Sequence, residues 1–215
     1  IKGLSRIRLS SIEAGDVADK LINKMAKSKK ICPHLHIPIQ SGDNEILKKM
    51  KRKYSRKYYL DLINKIRKKV PDASITTDCL VGFPQENEKN FQNTLSLVNK
   101  IAPLRTHIFP YSARKGASAS DFGGENSLGL IHERCQRLKK ISEKCGLSCK
   151  KSFLDKIFNV LIEGRVKRYP EFWQGYTGNY LRVLVKSKAN LKNKIVALKL
   201  QEIKDDFIIG NMAKA

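Results

Sequence analysis

Four times in the first two-thirds of this chain an extended run of residues gives way to a helical one. That alternation limits the possible folds more than any other feature. Residues 6–12 alternate as a short strand, and the stretch 16–25 sets Val17, Leu21, Ile22 and Met25 at helical spacing. Residues 34–40 read as the next strand, followed by a helix over 44–50 with Ser41 or Asp43 as its N-cap. Ser55 caps a longer helix that lines up Tyr59, Leu62, Ile63 and Ile66. Residues 74–86, Ser-Ile-Thr-Thr-Asp-Cys-Leu-Val-Gly-Phe-Pro-Gln-Glu, form a strand entering a tight Gly-Phe-Pro loop, where Gly82 permits the turn. A helix over 88–101 turns Phe91, Leu95 and Val98 inward, and 104–111 is a further strand. Residues 112–126 are rich in Gly, Ser and Ala and predict a mobile loop. Ser127 then caps a long basic helix reaching about Phe153. This order predicts parallel strands with right-handed crossovers. Four units are too few to close an eight-fold barrel, so the sheet stays open or further units lie upstream of Ile1.

After Phe153 the pattern changes. Short β runs at 157–162, 180–185, 195–200 and 207–209 are separated by turns at Gly164, Gly175, Gly178-Asn179 and residues 190–193. About 60 residues of this kind predict a small OB-like β-barrel, which binds RNA in many settings and elsewhere is a structural cap. Trp173, Tyr176 and Tyr180 stand beside Arg165, Lys167, Arg168 and Arg182, a mixture suited to stacking bases and holding phosphates. The expected division is 1–152 for the α/β part with its long helix and 153–215 for the barrel.

Charge supports a nucleic-acid partner. There are 43 Lys and Arg against 20 Asp and Glu, a formal net charge of +23. A proteome rich in Lys is the competing explanation. Five scattered cysteines, Cys32, Cys79, Cys135, Cys145 and Cys149, predict a reducing, cytoplasmic setting. Cys145 and Cys149 share a helix face, yet no further ligand follows nearby, so no metal site is expected from them. No apolar run is long enough to span a membrane. The chain opens on Ile1, which suggests a fragment.

Ligands of α/β folds bind beyond the C-terminal ends of strands. Four such ends carry polar groups here: Glu13, Gln40-Ser41, Asp78 to Glu86, and Tyr111 to Lys115. On residue chemistry alone Asp78 either reaches a ligand hydroxyl or braces a neighbouring loop. Arg52 is either a bidentate partner for a carboxylate or a solvated member of the Lys51-Arg52-Lys53 run.

Five ordered motifs covering nearly the whole chain make it resemble the radical S-adenosylmethionine tRNA methylthiotransferases. They are Arg8-Leu-Ser-Ser-Ile-Glu13; His34 to Gly42 with Leu47 to Tyr54; Asp72 to Pro84; His107-Ile-Phe-Pro-Tyr-Ser-Ala-Arg-Lys-Gly116; and Gly175-Tyr-Thr-Gly-Asn-Tyr180. The first, fourth and fifth are most like the branch acting on threonylcarbamoyladenosine. Ala14 and Gln85 depart from the family pattern, which usually has Pro and Gly there. Gln85 puts the geometry of its loop in question.

The resemblance implies a fold class of α/β, the second part of a partial (β/α)6 radical SAM barrel, followed by a small all-β TRAM domain. It implies S-adenosylmethionine and [4Fe–4S] clusters as cofactors, with cluster ligands upstream of residue 1. In the intact protein a 5′-deoxyadenosyl radical would abstract hydrogen from adenine C2, and a methylthio group would replace it. By position, Glu13, Gln40, Ser41, Arg52 and Asp78 are expected to contact S-adenosylmethionine, with Gly82 and Phe83 shaping the adenine side. Implied partners are tRNA, a sulfur donor and an electron-donor protein. Competing readings are an RNA-binding module without turnover, or methylthiolation of another adenosine or a protein. A half barrel also leaves an unpaired strand edge, so poor solubility is expected unless something covers it.

Overall fold

The computed structural model describes residues 2–113, 122–124 and 126–213; most of the loop predicted over 112–126, including Lys115, lies outside them. The α/β part is built on three parallel strands in the order β1 (His34–His36), β2 (Ser74–Val81) and β3 (Arg105–Pro110). Residues 6–12, expected to be a full strand, lie alongside β1 with only two isolated parallel bridges, Ile7 to Ile31 and Ser11 to His36. The register pairs His36 with Thr76 and Asp78 with His107.

Helices cover one face of this sheet. α1 (Asp19–Lys27), α2 (Asn44–Lys49), α3 (Arg56–Lys69), α4 (Glu88–Ile101) and α5 (Leu128–Lys151) follow in chain order. Their starts obey local capping chemistry. The Asp43 carboxylate accepts from the Glu45 and Ile46 amides, Ser55 accepts from Tyr58, and Ser127 accepts from Leu130. Asn87 and Asn90 close a reciprocal capping box on α4. Leu35, Ile37, Ile75, Cys79 and Val81 turn towards the helices and join Ile22, Tyr59, Ile63, Ile66, Phe91 and Val98 in one buried core.

Among the described residues, the other face carries no helix of this set. Strand alternation places His36, Asp78, Leu80, Arg105, His107 and Phe109 on it, and none of these is fully buried. The sheet therefore has one oily face and one polar, reachable face.

Five strands then close a barrel in the order β4 (Ile157–Val166), β5 (Tyr169–Thr177), β6 (Arg182–Lys186), β8 (Phe207–Met212) and β7 (Ile195–Lys204). All pairs are antiparallel except β6 with β8. Closure leaves this unit no free edge. Its core holds Phe153, Val160, Ile162, Trp173, Val183, Leu198, Leu200 and Ile208. The strand β5 escapes sequence reading because Pro170, Glu171 and Gly175 interrupt its apolar pattern. Gly175 is required there, since a Cβ would run into the Leu161 carbonyl across the ladder.

The barrel docks on the N-terminal ends of the parallel strands. Arg6 donates to the carbonyls of Tyr176 (3.0 Å) and Asn159 (2.6 Å), and Arg8 to that of Thr177 (3.2 Å). The Ser74 hydroxyl donates to the Asn179 carbonyl, and the Asn179 amide returns a bond to the Asp72 carbonyl at 3.2 Å. Tyr180 fills the seam: it stacks on Tyr176 at 5.0 Å, meets the His34 ring at 4.6 Å and lies under the Arg8 guanidinium.

Candidate functional site

The C-terminal ends of the strands form the rim opposite the barrel. Glu13 follows the first extended segment, Gln40 follows β1, and Gly82 follows β2. Gln40 is tied to the middle of the sheet. Its amide donates to the Asp78 carbonyl, its carbonyl accepts from Leu80, and it bridges Cys79 in parallel. A positive φ of 60° turns the chain there, which ends the strand and leaves the side chain half-exposed.

Arg52 and Glu13 find each other. Arg52 Nη1 donates to both Glu13 oxygens at 2.9 and 3.1 Å, over 39 residues of sequence. The pair lines a cavity of about 540 Å³ with Met50, Tyr54 and Tyr58. Arg52 is therefore no mere solvated member of a basic run. Its Nε is buried and has no hydrogen-bond partner among the described residues. Of Glu13, Gln40 and Asp78, only Glu13 lines that cavity.

Other residues expected at the ligand are engaged within the chain. Ser41 is fully buried; its hydroxyl contacts Thr94 and accepts from the Asp43 amide. Gly82 has a φ of +81°, and its amide donates 2.8 Å to Glu86. Phe83 is buried between the rings of Tyr111 and Phe122. These three shape the loop and offer a ligand no free side-chain group. The loop is locked from below by Arg134 of α5, which donates to the Glu86 carbonyl (2.9 Å), to Glu86 Oε2 (3.3 Å) and to Asn126 (3.2 Å). Both side chains are almost wholly buried, and burial raises the Glu86 carboxyl above the usual carboxylate range. Gln85 takes a φ of 64° and bonds to Lys49 and the Phe122 carbonyl, so the position where the family pattern has Gly keeps a left-handed turn.

On the polar face, His36, Asp78 and His107 converge. His36 Nε2 lies 3.2 Å from Asp78 Oδ2, while His36 Nδ1 lies 2.9 Å from Thr76 Oγ1. Asp78 braces a neighbour, as one of its two readings expects, and that neighbour is an imidazole. The His107 ring meets His36 edge-on at 5.9 Å. Next to them His34 is held neutral, with burial and the nearby Arg8 lowering its pKa to about 3. Neither His36 nor His107 was assigned a role by sequence reasoning. Their convergence depends on the register of strands separated by whole helices.

The barrel residues expected to bind RNA divide in two. Arg165, Lys167 and Arg168 are exposed around the β4–β5 turn. Trp173 is not a surface platform: it is 5% exposed, its indole donates to the Ser187 carbonyl, and Arg165 covers its ring at 4.3 Å. Tyr176 and Tyr180 occupy the seam described above. Arg182 is engaged by Asp206 at 2.9 Å and by Gln174 at 2.8 Å. Of the five cysteines, Cys32, Cys79 and Cys145 are buried, and no three converge among the described residues. No helix among those residues is long and apolar enough to cross a membrane.

Comparison with known proteins places this geometry in context. Residues 3–98 match the family model of the radical SAM superfamily. The threonylcarbamoyladenosine tRNA methylthiotransferase MtaB of Bacillus subtilis is 36% identical over 93% of this chain and 45% of its own length. The tRNA-2-methylthio-N(6)-dimethylallyladenosine synthase of a Thermoanaerobacter species is 38% identical over all of this chain and 45% of its own. The chain thus spans just under half the length of these relatives. Among solved structures, coproporphyrinogen III oxidase of Escherichia coli, a radical SAM enzyme, superposes with a TM-score of 0.55 at 12% identity, over 92% of this chain and 46% of that one. That last likeness concerns the fold alone.

Proposed function

We propose that this chain belongs with the radical S-adenosylmethionine tRNA methylthiotransferases and forms the part of such an enzyme that positions cofactor and tRNA. The reaction we assign to the intact protein is transfer of a methylthio group to C2 of N6-threonylcarbamoyladenosine at tRNA position 37, beside the anticodon. The observation that carries this reading is similarity to two such transferases along essentially the whole chain, across both the open sheet and the barrel. The Ser-Ser-Ile-Glu and Phe-Pro-Tyr-Ser signatures favour the threonylcarbamoyl branch over the dimethylallyl one.

S-adenosylmethionine and [4Fe–4S] clusters supply the radical chemistry and the transferred group when bound. The residues present fit the nucleotide in part. Arg52, on the wall of a cavity of about 540 Å³, suits the methionine carboxylate, and the half-exposed Gln40 suits a ribose or amino group. Glu13 holds Arg52 in that attitude. The fixed Gly82-Phe83-Pro84 turn keeps the rim's shape so that these groups need not reorganise on binding. The five cysteines here do not suit a cluster, so its ligands are assigned to the remainder of the enzyme.

The closed barrel we assign as a TRAM domain. Its exposed Arg165, Lys167 and Arg168, on a chain of net charge +23, meet tRNA phosphates. A sulfur donor, an electron-donor protein and a cytoplasmic setting belong to the same reading.

Nucleoside mass spectrometry of tRNA from a strain lacking this gene decides the substrate. Loss of methylthio-threonylcarbamoyladenosine, restored by the intact gene, supports the assignment. Loss of the methylthio-dimethylallyl nucleoside instead moves the enzyme to the other branch, and an unchanged profile removes the reading.

A further inference from the structure

We propose that His36, Asp78 and His107 form a binding site for a divalent first-row transition-metal cation, such as zinc, on the open face of the sheet. Its ligands are two imidazoles and a carboxylate rather than cysteines, and it does not depend on the methylthiolation reading.

Geometry carries the argument. His36, Asp78 and His107 come from three adjacent parallel strands, and the register sets Asp78 directly opposite His107 and one step beyond His36. Strand alternation therefore points all three at the same side. One ligand atom from each lies within 4.8 Å of the others. The 3.2 Å between His36 Nε2 and Asp78 Oδ2 matches the spacing of two ligands that each stand about 2.0–2.2 Å from one zinc ion.

The surroundings suit a metal as well. His36 Nδ1 is engaged by Thr76 Oγ1 at 2.9 Å, the kind of outer bond that fixes a ligating ring and its tautomer. In the tautomer whose Nδ1–H donates to Thr76, Nε2 turns a lone pair towards the carboxylate, and a cation between the two joins them; in the other tautomer Nε2–H bonds to Asp78 directly, and metal binding displaces that proton. Thr76 is itself braced by His34 at 3.0 Å, so the ring is held from a second layer. The His36 and Asp78 side chains are 20% and 23% exposed, and His107 is on the surface, so an ion has a way in. Two imidazoles and one carboxylate favour a transition metal over magnesium or calcium, which prefer oxygen ligands. Three protein ligands leave a coordination position open, where a water can join.

The test uses the full chain, stripped with a chelator and titrated with zinc chloride by calorimetry and with cobalt chloride by visible absorption. One equivalent should bind, with the cobalt spectrum of nitrogen and oxygen ligation and no thiolate band. Asp78→Asn and His107→Gln should each weaken binding at least about tenfold, a loss of the size seen when a ligand's support is removed. Thermal melts of the unloaded variants, matching the parent, show that the fold persists. His107 is exposed, so its variant remains informative if Asp78→Asn unfolds. No binding, binding unaffected by either change, or a thiolate charge-transfer band that assigns the ion to cysteine would each overturn the proposal.

Discussion

The Arg8 guanidinium lies 4.5 Å from the centre of the Tyr180 ring, joining the first extended segment of the α/β half to a turn of the β-barrel. Tyr180 reaches this place through a left-handed backbone, φ 69°, that the Thr177 hydroxyl holds by accepting from the Leu181 amide at 2.9 Å. The ring touches Arg8, His34 and Tyr176 at once, so one side chain couples the two cores.

Tyr180→Ala should therefore loosen the seam without melting either core. The lost stacking and cation–π contacts suggest a cost of about 2 kcal/mol. Calorimetry should show unfolding broader, or more clearly split, than in the parent, and limited proteolysis should begin to cut near residues 152–156. A variant that melts as one sharp unit at the parent temperature would mean that the backbone bonds of Arg6 and Ser74 suffice to join the halves.

Removal of Arg134 should be far more damaging. Arg134→Met leaves Glu86 buried with no cation beside it and frees the Gly82 loop, at about 3–5 kcal/mol. Adding Glu86→Leu should recover part of that loss, because a buried ion pair replaced by apolar groups is close to neutral while half a pair is not. Urea midpoints of the two single variants and the double variant separate these outcomes. A loss in the double variant as large as that of Glu86→Leu, with no recovery over Arg134→Met, would mean that the Gly82 amide bond, absent wherever Glu86 is replaced, dominates.

Much of the local architecture was legible because it is set by neighbours in sequence. Asp43, Ser55 and Ser127 cap helices by bonds to amides two or three residues on, and a single sequence displays that chemistry directly. Features set by long-range register were not legible. Trp173 sits among basic residues and looks like a stacking platform, yet strand parity turns it into the barrel. Tyr176 and Tyr180 face a partner unit 170 residues away in the chain, as the Arg6 bond to Tyr176 records. The ring of groups around Asp78 needs three strands in register, and that register is fixed by helices packing on the opposite face. The resemblance implies Ser41 as a cofactor contact and Gly82 as a shaper of the adenine side; what a single sequence does not display is that the Ser41 hydroxyl meets Thr94 and the Asp43 amide, and the Gly82 amide meets Glu86.

Gly82→Ala should deform the rim. Its φ of +81° disfavours any side chain, and a Cβ would run into Ile131 of α5. Two independent penalties suggest a loss of about 2–3 kcal/mol. Gly124→Ala is the comparison, since its φ of +65° carries the strain while its nearest neighbour is only the Gln85 side chain at 3.2 Å. A larger fall in melting temperature for Gly82 than for Gly124 is expected; the reverse order would place the constraint in backbone strain alone.

If the barrel holds tRNA, its exposed basic turn should set the salt response. Each phosphate contact on a single strand contributes about 0.7 to the slope of log affinity against log salt. Arg165→Ala, Lys167→Ala and Arg168→Ala combined should thus lower that slope by about 2, with affinity reduced similarly for all sequences. Trp173→Phe should leave the slope alone and lower stability, because the indole is buried and donates to the Ser187 carbonyl. Filter binding of an anticodon stem-loop across a salt series reads both effects. A slope unmoved by the triple change would place the RNA on another basic surface of the chain, while a slope moved by Trp173→Phe would show that the ring leaves the core to meet a base.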